Sequence, residues 1–219
     1  MINLHPTDEQ LLQFAQGLAS PGLSLIIAAH MDMCGKCAAR VAQFEGRLAE
    51  QALSHPQAAE PELQKMLDSI MALPAQTGVK PDCAAFLELD GRKFALPRSL
   101  QRYAGKISGW SHMVGKLWQA RVDLGIEGRA DFIYMEKGGS VPEHTHKGNE
   151  LTLVLDGEFS DGLNHYDTGD FIRCDGQHTH MPHTEADEGC LVFSLLDQPL
   201  HFTSGLARLL NPFSHLFFK

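Results

Sequence analysis

Two textures divide this 219-residue chain, and together they predict a multidomain α and β fold in which a small helical bundle precedes an all-β domain. From Thr7 to Leu73 the apolar residues recur at helical intervals, whereas beyond Cys83 they fall in short runs punctuated by Gly and Asp. Between them, Pro74-Ala75-Gln76-Thr77-Gly78-Val79-Lys80-Pro81 has two prolines, a glycine and no apolar period. The expected division is a helical domain over 1–75, a linker over 76–82 and a β domain over 83–219.

The first helix is expected to start at Thr7-Asp8-Glu9-Gln10, where Thr7 suits the cap and Gln10 can bond back to it. Leu11, Leu12, Phe14, Ala15 and Leu18 carry it to about Gly17, and Ser20-Pro21-Gly22 breaks it. A second, longer helix is expected in one piece from about Leu23 to Leu53, with Ile26, Ile27, His30, Cys34, Cys37, Val41, Phe44 and Leu48 along it and Ser54-His55-Pro56 as its stop. The third runs from Pro61 to Leu73: Pro61 suits a first helical turn, and Leu63, Met66, Leu67, Ile70 and Met71 make an apolar stripe. A unit of roughly 70 residues has little core to offer. The methionine-bearing stripe therefore suits a core and an adaptable partner surface equally well.

In the second half the runs Ala84 to Leu89, Lys93 to Leu96, Leu117 to Leu124, Phe132 to Met135, Leu151 to Leu155 and Leu191 to Leu196 read as strands. Asp90-Gly91-Arg92, Lys137-Gly138-Gly139, Asp156-Gly157 and Thr168-Gly169-Asp170 read as turns between strands of a barrel or sandwich. The apolar tail from Leu206 to Phe218 is expected to pack on its own barrel; a homodimer interface is the alternative.

Charge and composition exclude several classes of function. Residues 1–75 carry four Lys or Arg against eight Asp or Glu, and residues 76–219 carry fourteen against nineteen, so the net −9 divides as −4 and −5. Neither half has the basic face that direct nucleic-acid binding requires. No apolar run approaches the ~20 residues of a membrane span, and Met1 does not open a secretory signal. Of five cysteines, Cys83, Cys174 and Cys190 are scattered, which argues against a disulfide framework and for a reducing cytoplasm.

Two constellations carry chemistry. In His30-Met31-Asp32-Met33-Cys34-Gly35-Lys36-Cys37 three metal-binding side chains stand four and three residues apart, a spacing that places them on one helical face. Zinc takes imidazole and thiolate together and favours four ligands, so one more is needed. His5, just ahead of the first helix, is the candidate, because a short arm can reach the cluster if the first two helices pack antiparallel; His55 lies several turns beyond. A redox couple is the competing reading of Cys34 and Cys37, but no strand precedes them as a thioredoxin-like site would require. The second constellation is Gly138-x5-His144-x-His146-x3-Glu150-x6-Gly157, followed by Gly169-Asp170 and His178-Thr179-His180-Met181-Pro182-His183. Residues two apart on a strand share a face, so His144 and His146 point together, and Glu150 can rejoin them after Lys147-Gly148-Asn149. A later histidine would complete a three-His, one-carboxylate site for a divalent metal.

The glycine-framed His-x-His-x3-Glu resembles the first motif of the cupin superfamily, which implies a double-stranded β-helix, or jelly-roll barrel, around an interior metal. The second cupin motif is followed from Gly169, but Asp175 stands in place of its proline and no asparagine closes it. Among the three later histidines the order of preference is His180, then His183, then His178. The His…His-x3-Cys-x2-Cys cluster resembles the zinc-binding anti-sigma domain. Its fusion to a cupin resembles the ChrR-type anti-sigma factors over nearly the whole chain, from His5 through Leu209-Leu210-Asn211-Pro212-Phe213. The resemblance implies zinc on His5, His30, Cys34 and Cys37, and zinc or another divalent metal on His144, His146, Glu150 and His180. It also implies capture of an extracytoplasmic-function sigma factor, and release of that factor on an oxidative signal such as singlet oxygen sensed by the cupin. A metal-dependent cupin dioxygenase or isomerase with an appended helical domain is the rival from another class.

Overall fold

The computed structural model describes residues 1–54, 61–74, 85–113, 115–205, 208, 209 and 211. The expected linker at 76–82, Cys83, His55 and most of the tail from Leu206 to Phe218 lie outside these residues.

Helix α1 (Asp8–Ala15) opens with the expected capping box: the Thr7 hydroxyl accepts from the Gln10 amide, and the Gln10 side chain accepts from the Thr7 amide. Ser20 caps α2 (Pro21–Met33), with Pro21 in the first turn where its missing N–H costs nothing. The single long helix expected from Leu23 to Leu53 is instead two. Cys34 takes an extended conformation (φ −118°, ψ 96°), ends α2 and precedes α3 (Gly35–Leu53). The shared-face argument for His30, Cys34 and Cys37 therefore fails as stated; a corner at Cys34 turns the end of α2 and the start of α3 toward one another. Helix α4 (Pro61–Met71) buries none of its residues.

The β domain contains β1 (Phe86–Leu89), β2 (Arg92–Ala95), a short helix α5 (Arg98–Gln101), β3 (Ser111–Met113), β4 (Leu117–Val122), β5 (Arg129–Met135), β6 (Gly139–Ser140) and β7 (His144–His146). It continues with β8 (Glu150–Ser160), β9 (His165–Asp167), β10 (Phe171–Cys174), β11 (Thr179–His180), β12 (His183–Thr184), β13 (Cys190–Leu196) and β14 (Leu200–Phe202). The larger sheet runs β3-β4-β5-β13-β8-β12-β6, with β9 and β10 also paired to β8; a smaller sheet runs β11-β7-β14. Among the described residues every ladder is antiparallel, and β8 is the hub because it pairs with four other strands. Gly157 on β8 stands at φ +76°, and a Cβ there would strike the carbonyl oxygen of Gly189, so the frame of the His-x-His-x3-Glu motif needs glycine at this end. The sheet curls into a cupin-like domain, as the motif implied.

The two halves share a core. Leu25, Ile26 and Ala29 of α2 are buried in one cluster with Phe132, Leu153, Phe171 and Phe193 of the barrel. The opposite side of the same helix contributes Ile27 to a second cluster with Leu11, Val41 and Phe44. An α-helix that is apolar all round must be covered all round; here α1 and α3 cover one side and the barrel the other.

Candidate metal centres

His5, His30, Cys34 and Cys37 come together at the meeting point of α1, α2 and α3, with one donor atom from each within 4.8 Å of the others. His5 sits on the arm just ahead of the Thr7 cap, His30 on the last turn of α2, Cys34 at the corner and Cys37 in the first turn of α3. His5 Nδ1 is 3.4 Å from His30 Nε2 and 3.5 Å from each thiol, and His30 Nε2 is 3.3 Å from Cys37 Sγ. Bond lengths of tetrahedral zinc to nitrogen and sulfur put its ligand atoms about 3.3–3.8 Å apart. The donor set and its spacing therefore fit such an ion.

His30 is fully buried, and its Nδ1 lies 2.9 Å from the carbonyl oxygen of Gly169 in the barrel. A carbonyl only accepts, so Nδ1 carries the proton and Nε2 keeps its lone pair toward the cluster. Burial pushes the His30 imidazole down to about 4, with the Gly169 carbonyl opposing and His5 adding to the shift. Burial, followed by the neighbouring Cys34, pushes the Cys37 thiol up to about 12. By itself this pocket keeps its imidazole and thiol neutral; thiolates there require a cation between them. The start of α3 adds a favourable dipole for a thiolate at Cys37.

The second cluster joins the two sheets. His144 and His146 on β7 and His180 on β11 belong to the small sheet, where His180 is the register partner of His144. Glu150 opens β8 in the larger sheet. His180 Nε2 lies 3.0 Å from both His144 Nε2 and His146 Nε2, and Glu150 Oε2 lies 3.4 Å from His146 Nε2. His144 Nδ1 donates to the Pro142 carbonyl at 2.8 Å, which turns its Nε2 inward. Glu150 Oε1 accepts from the Ser194 and Thr152 hydroxyls, leaving Oε2 for the centre. Burial acts to raise the Glu150 carboxyl, but His146 and the Ser194 hydroxyl outweigh it and hold the group below its ordinary value. Burial, then His144, pushes His180 down to about 4, and burial likewise lowers His146. Three nitrogens converging at such distances, with a charged carboxylate beside them, fit a divalent cation.

His178 and His183 stay outside this cluster: His178 pairs with Asp175 at 2.9 Å on the surface, and His183 Nδ1 donates to the Met181 carbonyl. Sequence reading missed the supports. Ser194 lies 44 positions from Glu150, and Gly169 lies 139 from His30, so no local spacing announces either. The donor residues were detectable because each cluster contains a short spaced motif.

Comparison with known proteins follows this division. Residues 126–199 match the family described as the ChrR cupin-like domain. Over 218 residues the chain is 32% identical to the anti-sigma-E factor ChrR of Cereibacter sphaeroides, an alignment that spans 97% of this chain and 98% of that protein. The crystal structure of Rhodobacter sphaeroides SigE in complex with the anti-sigma ChrR superposes with a TM-score of 0.69 at 28% identity, over 90% of this chain and 100% of the compared one. With helices and barrel joined in the same order over almost its whole length, this chain belongs to the ChrR family of anti-sigma factors.

Proposed function

We propose that the chain sequesters an extracytoplasmic-function sigma factor in the cytoplasm, holding it away from RNA polymerase and promoter DNA, and that no substrate is turned over. The observation that carries this reading, beside the family, is the uncovered face of α4. Leu63, Met66, Leu67, Ile70 and Met71 are all at least half exposed. Each such side chain gains about 1.5–3 kcal/mol when fully buried, so a helix bearing five in a stripe is built to be covered. The solved relative was captured with SigE. A sigma factor is accordingly the occupant this reading assigns to the stripe.

In this reading residues 1–75 are the clamp, 76–82 the connection and 83–219 the sensor. Zinc on His5, His30, Cys34 and Cys37 fixes the corner between α2 and α3 and so sets where α1 and α3 stand. Zinc or another divalent ion on His144, His146, Glu150 and His180 gives the barrel a centre whose ligands an oxidant such as singlet oxygen can alter. The test is coexpression with the extracytoplasmic-function sigma factors of the same genome. One is expected to copurify and to be lost on treatment with a zinc chelator. Capture of none, or capture indifferent to Cys34→Ser with Cys37→Ser, overturns the clamp. Release under oxidant that survives alanine at His144, His146 and Glu150 overturns the sensor.

A further inference from the structure

His5 is the donor of the front cluster that lies ahead of every helix, and its position is set from outside the helical bundle. The side chain of Asp170, fully buried at the turn between β9 and β10, accepts from two backbone amides of the arm: Asn3 at 2.7 Å and Leu4 at 2.9 Å, both to Oδ1. Its Oδ2 accepts from the Asp167 amide at 2.9 Å, so the carboxylate is held by the barrel on one side while it holds the arm on the other. The Phe171 amide donates to the Leu4 carbonyl at 3.0 Å, which lays the arm along the start of β10. Gly169 stands at φ +95°, and a Cβ there would collide with the Ile2 side chain. The same glycine's carbonyl accepts from His30 Nδ1, and the Phe171 ring meets the His30 ring edge to face at 6.2 Å. Three consecutive barrel residues thus grip both imidazole donors of a cluster that otherwise belongs to the helices. The turn is itself bonded into β8, the strand that begins at Glu150, through Gly169 N to Val154 O and Val154 N to Asp170 O.

We infer that the turn at Gly169-Asp170 is a positioning element for the front metal cluster, with Asp170 setting the place of His5 and Gly169 that of His30. The barrel, rather than the helical domain alone, then fixes how tightly the front ion is held. Buried charge-assisted bonds to a carboxylate are the stronger class of hydrogen bond, and outer supports of metal ligands typically govern affinity by 10–100-fold. The inference rests on the reading of the front cluster as a metal centre, and its test separates the two.

The full chain is loaded with cobalt(II) alone and titrated against a competing chelator. Thiolate-to-cobalt charge-transfer absorption reports only the cysteine-bearing cluster, while total bound metal reports both. Absence of that band in the unaltered chain sinks the metal reading itself, and the present inference with it. Given the band, Asp170→Asn, which sets an amide N–H against one of the facing backbone donors, is expected to weaken cobalt at the thiolate cluster by roughly 10–100-fold. The barrel metal should stay within about twofold and the melting transition should be retained. Leu4→Pro, which removes one arm N–H and leaves the barrel sequence untouched, is expected to weaken the same cluster several-fold. Thiolate-cluster affinity within about twofold in both variants overturns the inference, as does an equal loss at the two centres in Asp170→Asn. Should Asp170→Asn fail to fold, Leu4→Pro decides alone.

Discussion

The two clusters gather four donors each by opposite means. In the front one the donors sit on the arm ahead of α1, a helix end, an interhelical corner and a helix start, around a small core of Leu11, Ile27, Val41 and Phe44. In the rear one, His144, His146 and His180 are fixed by a strand ladder, and Glu150 by the Ser194 and Thr152 hydroxyls. The rear set is preorganised by a sheet with its own large core; the front set hangs on helix ends over a small core, with the Asp8–Arg40 ion pair between α1 and α3 and the Gly169–Asp170 turn behind His5 and His30. On the reading proposed above, an ion would be structural in the front half and replaceable in the rear one, although both clusters offer four donors.

The most severe way to break this contrast is to remove the thiols. Cys34→Ser with Cys37→Ser is expected to lower partner capture by at least ~100-fold and to loosen α1 and α3, measured by pull-down and by hydrogen exchange. Helix α2 should stay protected, because Leu25, Ile26 and Ala29 remain in the barrel core. Equal loss of protection in all three helices would contradict the contrast. Next in size, Glu150→Gln should weaken the barrel metal by about 10–100-fold while front metal and partner capture are retained. Metal analysis after dialysis reads the first and copurification the second.

On the surface, Leu67→Asp is expected to reduce capture by about tenfold and to leave the melting temperature of the free chain within a degree or two, since half of that side chain is already exposed. A large drop in melting temperature would place α4 in the core after all. A separate effect is one of pH on the metal-free chain. His30 and His180 are both held at about 4 by burial, each with further neighbours acting on it, against an ordinary histidine value of 6.5. The unfolded chain therefore takes up protons first, so the stability these two contribute is complete above about pH 6.5 and falls as pH drops toward 4. The denaturant midpoint should decline over that window, and less so in His30→Gln. A flat midpoint would show that neither imidazole is buried neutral.

What could be read from the sequence was what is written locally. Thr7 and Gln10 are three residues apart, so the capping box was readable; His144 and His146 are two apart, so their strand was readable too. The strand runs around Leu117, Phe132, Leu151 and Leu191 lie within four of the observed strands, with ends displaced by a few residues. Periodicity ran through Cys34 because the apolar residues on both sides stay in helical register, although Gly35, a poor helix former, stands next to the corner. The extended conformation at that residue shows only in three dimensions. Asp170 was read as a turn residue, which it is; nothing within reach of its neighbours says that its carboxylate holds Asn3 and Leu4.

The bare stripe on α4 also bears on what happens after the partner departs. Large contiguous apolar surface in water invites self-association, so on the proposed reading the chain without its partner is the form most prone to clump, and the held chain the form best protected.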